Sequence, residues 1–380
     1  MIYLDNAATS WPKPEVVVET MGRYLREMGV NPGRGGYRLS REASLVVENC
    51  RRKLAKLINA DKPEEVVFTA SATMGLNQAL FGSLKPGDHV IVDGLQHNSV
   101  MRPLKALETL GLEITVIPWD YKEGLNWNVF ANSFRDNTKM VVLTHASNVN
   151  GALLPAAAIG KMAEDRGALF LLDAAQTAGF VPLDVKSMKV DLLAMPGHKG
   201  LLGPQGVGVL YVKKKLRLKP LIYGGTGSES ESTLQPEGLP ARLESGTLNS
   251  VGIAGLDASL NFIGSNAGDI KNREQGLADR LKEGLRAIPG VETYFPQDAA
   301  NTVPVVAFNI GGLNSEETAA ILDQMFDIAC RPGYHCAPIA HKTIGTFEMG
   351  GVVRFSPGYF NSDEDINFSL EAVEKIACAN

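Results

Sequence analysis

The chain of 380 residues lacks several features that define whole classes of protein. Its four cysteines, Cys50, Cys330, Cys336 and Cys378, have no framework spacing and suit a reducing compartment better than a disulfide scaffold. No apolar run is long enough to span a bilayer, and residues 1–6 lack the basic and apolar regions of a secretory signal. We therefore expect a cytoplasmic protein with no membrane partner.

Long runs of charge are also missing. Charged residues make up 21% of the chain, the formal net charge is −5, and Lys213–Lys215 is a short basic run typical of a solvated strand end. We expect no nucleic-acid partner. The length exceeds one ordinary core and 44% of the residues are hydrophobic, so the sequence predicts two lobes.

Short β-branched runs alternate with amphipathic segments between about residues 64 and 212. Strands are predicted over residues 66–68, 89–92, 114–117, 140–143, 169–172 and 207–212, with helical spacing over 98–110 and 156–166. Several of these strands are apolar on consecutive residues, which is typical of a parallel sheet covered on both faces. The pattern is that of an α/β doubly wound fold, in which ligands collect at the carboxyl ends of the strands.

The chain changes character after residue 223. Residues 223–247 are rich in Gly, Ser and Glu and predict a long loop. Helices are then predicted over 250–264, 273–288, 315–327 and from 363, with a strand over 303–309. This mixture indicates a smaller α+β lobe after residue 260.

A glycine-flanked lysine and a buried acid form the most informative pair. Lys199 lies in Gly197-His198-Lys199-Gly200, beyond the strand that follows Asp173, and a lysine held in a loop can react with an aldehyde. Asp173 ends a strongly apolar strand, where an unpaired carboxylate would cost several kcal/mol. A protonated pyridine nitrogen is a suitable partner. The pair therefore indicates pyridoxal phosphate, with the amine on the aldehyde and the acid on the ring nitrogen.

Three further segments follow predicted strands. Residues 69–75 open a helix whose N–H groups suit a phosphate, although a plain capped helix explains the same residues. His97 could stack on a flat ring, but a lone histidine is more often structural. Asn148 could reach a phenolic oxygen, or could be a turn residue.

The segment Cys330-Arg331-Pro332-Gly333-Tyr334-His335-Cys336-Ala337 admits three interpretations. A metal site made of Cys330, His335, Cys336 and His341 is disfavoured, because zinc motifs pair cysteines two to four residues apart. A buried inert thiol is the second interpretation. The third is a nucleophile whose pKa is lowered from about 8.5 by His335 and Arg331. Spacing alone does not separate the last two.

Arg354 lies within a strand pattern, where a guanidinium is costly unless it has an anion. A bidentate clamp on a substrate carboxylate and an internal salt bridge to Asp or Glu explain this position equally well.

With these residues collected, the chain resembles the cysteine desulfurase and selenocysteine lyase branch of the class V aminotransferases, which are fold-type I pyridoxal phosphate enzymes. The resemblance runs almost end to end. It includes the segments Tyr3–Ala8, Thr144–Val149, Asp173–Gln176, Gly197–Lys199, Glu244–Thr247 and Arg331–Ala337. The last segment, an Arg-x-Gly-x-x-Cys-Ala pattern on a compact loop, resembles the second group of desulfurases.

The resemblance implies a set of cofactor contacts. Lys199 would hold the cofactor covalently, Asp173 would pair with the ring nitrogen, and His97 would stack on the ring. The phenolic oxygen and the phosphate would be bound by Gln176, Asn148, Ala72, Thr73, His198 and, from a second subunit, Thr247. A homodimer is therefore expected.

The resemblance also implies the reaction. L-Cysteine would be converted to L-alanine, with Arg354, Asn148 and Arg34 binding the substrate. Cys336 would take the sulfur as a persulfide for a thiol acceptor protein, and His335 would handle a proton. A selenocysteine lyase acting on L-selenocysteine, another β-lyase or an aminotransferase could share this set, and a non-catalytic scaffold is the alternative from a different class.

Two positions depart from the family pattern. Pro196 stands where relatives often have a serine or threonine, so one phosphate hydrogen bond would be lost. Gly33 stands where relatives often have a histidine, which leaves the choice of substrate open.

No metal is expected. By resemblance, residues 15–255 would form a large cofactor-binding domain, and residues 1–14 with 256–380 a small α+β domain carrying the cysteine loop.

Overall fold

The computed structural model describes residues 1–33, 35–120, 124–296 and 302–379. Its helices are α1 (Glu15–Met28), α2 (Arg38–Leu57), α3 (Ala72–Ser83), α4 (Asn98–Glu108), α5 (Trp127–Asn132), α6 (Ala156–Asp165), α7 (Ser250–Ala287), α8 (Ser315–Phe326), α9 (Pro338–Ile344) and α10 (Asp363–Ala379). Within that part of the chain, none of these helices has the length and apolarity needed to cross a bilayer.

Four groups of paired strands lie between these helices. The strands are β1 (Ile2–Tyr3), β2 (Val66–Thr69), β3 (His89–Asp93), β4 (Glu113–Ile117), β5 (Trp119–Asp120), β6 (Gly124–Leu125), β7 (Thr138–Thr144), β8 (Leu169–Asp173), β9 (Leu192–Pro196), β10 (Gly208–Val212), β11 (Val291–Thr293), β12 (Val306–Ile310), β13 (Ile328–Ala329) and β14 (Val353–Phe355). Each strand predicted between residues 64 and 212 overlaps one of these, which confirms the α/β prediction.

The large sheet has seven strands in the order β2-β10-β9-β8-β7-β3-β4. Strand β10 runs antiparallel to β2 and β9, and the remaining neighbours are parallel. Because β3, β7, β8 and β9 run in one direction, the residues that follow them meet at one edge of the sheet. Strand β9 is buried along its whole length, as expected for a central strand covered on both faces.

The smaller sheet, β11-β12-β14, is antiparallel and packs with α7, α8 and α10. Strand β1 near the N-terminus pairs in parallel with β13, so the first residues of the chain lie against this second unit. The predicted domain boundary after residue 255 falls inside α7, and the division into two domains stays a prediction.

One helical prediction is wrong. The sequence predicted separate helices over 250–264 and 273–288, whereas α7 is continuous from Ser250 to Ala287. The junction between the two predicted helices contains Gly264 and Gly268, and glycine is a poor helix former. Buried Ile263, Ile270 and Leu277 recur every two turns across this stretch, so packing of one face outweighs the weak local propensity. As predicted, residues 223–247 contain no helix or strand.

Candidate functional site

The carboxyl edge of the large sheet holds a cavity of about 130 Å³. His97 follows β3, Asp173 is the last residue of β8, and Lys199 follows β9. These three line the cavity together with Ser71, Ala72, Thr73, Ser99, Thr144, Ala146, Asn148, Ala175, Gln176, Pro196 and His198. The structure thus brings together the side chains that the sequence placed after separate strands.

Asp173 is a buried carboxylate with little compensation. Its Oδ1 accepts a hydrogen bond from the Ala175 N–H at 2.9 Å. Burial raises the pKa of Asp173, while the Ala175 N–H and the charge of Lys199 act in the opposite direction. A cation bound in the cavity would relieve the cost of burying this charge.

Lys199 has an amine suited to nucleophilic attack. The pKa of Lys199 is lowered to about 8, mainly by burial and also by the nearby Arg354 guanidinium, while Asp173 acts in the opposite direction. A larger fraction of the amine is therefore neutral near neutral pH than for a surface lysine. The two glycines flanking His198-Lys199 permit close packing, since a Cβ at Gly200 would lie 2.5 Å from the Ala178 carbonyl oxygen.

His97 is held as a neutral ring at the start of α4. Its Nδ1 accepts a hydrogen bond from the Ser99 N–H at 3.0 Å, so the remaining ring proton lies on Nε2. Burial lowers the pKa of His97 to about 3, and the charge of Lys199 contributes to the shift. The next residue, Asn98, donates its N–H to the Cys336 carbonyl oxygen at 2.7 Å. The cysteine loop therefore contacts the site beside His97.

Asn148 leaves one polar atom unsatisfied. Its Nδ2 donates to the His335 carbonyl oxygen at 2.8 Å. Its Oδ1 is buried and has no hydrogen-bond partner among the residues that the structure describes. Buried polar atoms are nearly always paired, so a molecule bound in this cavity would supply the missing donor.

The N-terminus of α3 faces the same cavity. Ser71 caps the helix by accepting the Met74 N–H at 3.1 Å, and Ala72 and Thr73 line the cavity from the first turn. Gly208 of β10 allows this approach, because a Cβ there would lie 2.7 Å from the Ala72 nitrogen. A helix N-terminus facing a cavity suits a phosphate.

Of the remaining predicted cofactor residues, Gln176 and His198 line the cavity and Thr247 does not. Gln176 donates to the Ala7 carbonyl oxygen at 3.1 Å, and His198 contacts Thr9 Oγ1 through Nδ1 at 3.1 Å. Both lie at the cavity, as does Pro196. Thr247 is exposed on the 223–247 loop and does not line it. Arg34 lies outside the described residues.

Cys336 presents an exposed thiol on the loop that contacts Asn98. The Arg331 guanidinium donates to its Sγ at 3.2 Å. His335 and Cys336 have φ values of 49° and 58°, a left-handed conformation that is uncommon for such residues and is often found at functional sites. No cluster of three or more potential metal ligands occurs within residues 1–33, 35–120, 124–296 and 302–379.

His335 points away from solvent, unlike the adjacent thiol. Its Nε2 donates to the Val352 carbonyl oxygen at 3.1 Å, and burial holds the pKa of His335 well below its usual range. The ring is therefore neutral. Its predicted role in proton handling stays a prediction, and the observed contacts fix the loop.

Arg354 is fully buried and has internal partners. Its Nη2 donates to Asp5 Oδ1 at 2.5 Å, and its Nη1 donates to the Asn148 carbonyl oxygen at 2.8 Å. The internal salt bridge considered from the sequence is therefore present. Within the described part of the chain the Nε of Arg354 has no partner, so the predicted substrate contact also stays open.

The N-terminal segment contributes contacts that were not predicted from the sequence. Asp5 pairs with Arg354, and Thr9, Ser10 and Lys13 each donate to the carbonyl oxygen of His198. The contacts with His198 join residues about 185 to 189 positions apart, so no local pattern could have revealed them.

Comparisons with known proteins give a consistent result. The family described as aminotransferase class-V matches residues 2–368. A probable cysteine desulfurase from Methanothermobacter thermautotrophicus is 36% identical over 383 residues, covering 99% of this chain and 94% of the relative. The apo structure of a cysteine desulfurase from Thermococcus onnurineus NA1 superposes with a TM-score of 0.93 at 35% identity, covering 100% of this chain and 95% of that one. The structure of a cysteine desulfurase from Escherichia coli superposes with a TM-score of 0.87 at 27% identity, covering 98% of this chain and 94% of that one.

Proposed function

This chain belongs to the class-V aminotransferase family and is a pyridoxal-phosphate-dependent cysteine desulfurase, and we propose that Lys199, Asp173 and Cys336 carry the reaction. The substrate is L-cysteine, the carbon product is L-alanine, and the sulfur is left as a persulfide on Cys336. The observation that supports this assignment is the shared cavity of Lys199, Asp173 and His97, with the Cys336 loop bonded to the helix that follows His97.

The residues present fit pyridoxal phosphate. The buried Asp173 carboxylate suits a ring cation, the Lys199 amine suits an aldehyde, and the N-terminus of α3 suits a phosphate. When bound, the cofactor supplies an aldehyde that captures the substrate amine and a cationic ring that withdraws electrons from the substrate α-carbon.

The residues around it have separate tasks. The neutral His97, which lines the cavity, would pack against the bound ring without adding a second positive charge. The Lys199 amine, buried and with a lowered pKa, would accept the substrate α-proton and return it within the site. Asn148 would orient the substrate side of the cofactor, and Arg354 Nε, which has no partner in the described residues, would be available to a substrate carboxylate.

Cys336 carries the sulfur transfer. Its Sγ attacks the substrate sulfur, so an S–S bond forms as the Cβ–S bond breaks, and the electron pair of the broken bond remains on the carbon fragment. A proton completes alanine, and the overall change is cysteine plus thiol to alanine plus persulfide. The adjacent Arg331 guanidinium stabilises the attacking thiolate. A thiol acceptor protein then removes the outer sulfur atom.

A homodimer completes the proposal. Thr247 is exposed and does not line the cavity of its own chain, which is consistent with a phosphate contact across a subunit boundary. We also place the enzyme in the cytoplasm, in line with its free cysteines. The large cofactor-binding domain of residues 15–255 and the small domain of 1–14 and 256–380 belong to the same proposal.

The deciding experiment compares alanine release from L-cysteine by the wild type, C336S and C378S. Cys378 is also an exposed free thiol, on α10, so C378S controls for the loss of any accessible cysteine. We expect C336S to lose nearly all activity and C378S to keep it. Full activity of C336S on L-cysteine would show that the persulfide assignment is wrong.

The same assay separates the alternatives. If C336S loses activity on L-cysteine but releases alanine from L-selenocysteine at the wild-type rate, selenocysteine lyase chemistry is supported on this site. A purified wild type that binds no pyridoxal phosphate would instead favour the scaffold alternative.

A further inference from the structure

The carbonyl oxygen of His198 lies in the peptide bond that leads into Lys199, and several donors converge on it. It accepts hydrogen bonds from the Ser10 N–H at 3.0 Å, Ser10 Oγ at 3.1 Å and Thr9 Oγ1 at 3.2 Å. Lys13 Nζ donates to the same oxygen at 2.8 Å. A carbonyl oxygen has two lone pairs, so this convergence exceeds what its satisfaction requires.

Lys13 is an unusual member of this group. Its Nζ also donates to Ser10 Oγ at 2.7 Å. Burial lowers the pKa of Lys13 to about 8. Within the described part of the chain no carboxylate forms a salt bridge with it. The chain therefore bears the cost of a partly buried cation whose contacts are a hydroxyl and the His198 carbonyl oxygen.

Hydrogen bonds fix the peptide groups on both sides of Lys199. Gly197 and Gly200 flank His198-Lys199 and give this loop more conformational freedom than other residues would. The carbonyl oxygen of Lys199 accepts a hydrogen bond from the Leu202 N–H at 2.8 Å, which fixes the peptide plane after the lysine. The Lys13 contact, together with those of Thr9 and Ser10, fixes the peptide plane before it.

We propose that Lys13 is a positioning residue for Lys199. Through the His198 carbonyl oxygen it fixes the peptide plane from which the Lys199 side chain enters the cavity, and so sets the rate at which Lys199 attaches to pyridoxal phosphate. The inference rests on the proposed role of Lys199. It adds that the N-terminal segment, which also pairs Asp5 with Arg354, orients the reactive amine.

The test measures covalent loading of the cofactor-free protein with pyridoxal phosphate. Samples are reduced with borohydride at successive times, and the fraction of modified Lys199 is found by peptide mass. The variants are K13M, K13R and, as a control for removing a lysine charge elsewhere, K161M on the exposed face of α6. The free energy of unfolding of each cofactor-free protein is measured in parallel.

We expect K13M to load at least about tenfold more slowly, which is the effect of losing one hydrogen bond from a charged donor. K13R, which keeps a charged donor, should restore most of the rate, and K161M should load like the wild type. A K13M protein that loads at the wild-type rate overturns the inference. So does slow loading that accompanies a matching loss of stability and is not restored by K13R, because that result indicates a structural role only.

Two further outcomes are decisive. If K13M does not fold, K13Q replaces it, because glutamine removes the charge and shortens the reach towards the His198 oxygen while keeping a polar side chain. A wild-type loading rate for K13Q then overturns the inference, and slower loading supports it. A wild type with no borohydride-fixed cofactor at Lys199 overturns the proposed function and this inference together, whereas equal loading of wild type and K13M overturns the inference alone.

Discussion

Replacing Asp173 with asparagine should affect the free and the cofactor-bound protein in opposite directions. In the free protein Asp173 is a buried acid whose pKa is raised by burial, with one N–H donor on Oδ1. A neutral amide of the same shape removes the cost of burying the charge. In the bound protein the same change removes the partner of the ring cation.

The magnitudes follow from these two states. Removing one member of a buried charge pair costs about 2–5 kcal/mol, so D173N should weaken pyridoxal phosphate binding by about 30-fold to several thousandfold. The free protein should gain stability instead. Because the folded-state pKa of Asp173 is raised, its contribution to folding is lost as pH rises above the unfolded value near 3.9. The advantage of D173N should therefore grow as the pH rises from about 4.

The assay combines equilibrium titration of the cofactor with denaturant unfolding of the cofactor-free protein across this pH range. D191N is the matched control, because Asp191 precedes β9 at the opposite edge of the sheet and pairs with Lys213 there. It should leave cofactor affinity unchanged. The reasoning is refuted if D173N destabilises the free protein at neutral pH and binds the cofactor as tightly as the wild type.

Three further changes test other parts of the structure. Burial raises the pKa of Glu274 to about 8 from 4.5, so stability should fall with rising pH between these values by about 1.4 kcal/mol per pH unit, and E274Q should remove that slope in denaturant unfolding. E244Q breaks the buried pair with Arg51, whose two bonds measure 2.8 and 3.0 Å, and should lower the free energy of unfolding by about 3–5 kcal/mol. R331M removes the donor at 3.2 Å from Cys336 Sγ and should slow alkylation of that thiol about tenfold, as followed by peptide mass; an unchanged rate would exclude thiolate stabilisation by this guanidinium.

The large sheet could be predicted because its signal is local. Strands β7 and β8 are apolar on consecutive residues, and the structure buries them on both faces. The order of Asp173, β9 and Lys199 along the chain then placed the acid and the amine at one edge, since parallel strands end together. Each of these steps needed only residues close in sequence and one topological rule.

Helix α7 shows where local patterns mislead. Its glycine-containing stretch has a low intrinsic helix propensity, and a helix was therefore predicted to end there. The burial of Ile263, Ile270 and Leu277 depends on what packs against them, which is information that a window of sequence does not contain. Helix continuity in this case is a tertiary property.

Arg354 gives the most instructive comparison, because the two interpretations drawn from the sequence are compatible. A guanidinium carries five N–H donors, and the chain engages Nη1 and Nη2 through Asn148 and Asp5 while Nε has no partner in the described residues. The internal contacts hold the planar group at a fixed angle, which reduces the entropy that the arginine side chain would otherwise lose when a substrate carboxylate binds. A salt bridge to a neighbouring acid is therefore not evidence against a binding role for a buried arginine. Whether such an arginine can bind a substrate depends on how many of its N–H donors remain without a partner. For Arg354 that number depends on Asp5, which lies almost the whole length of the chain away in sequence.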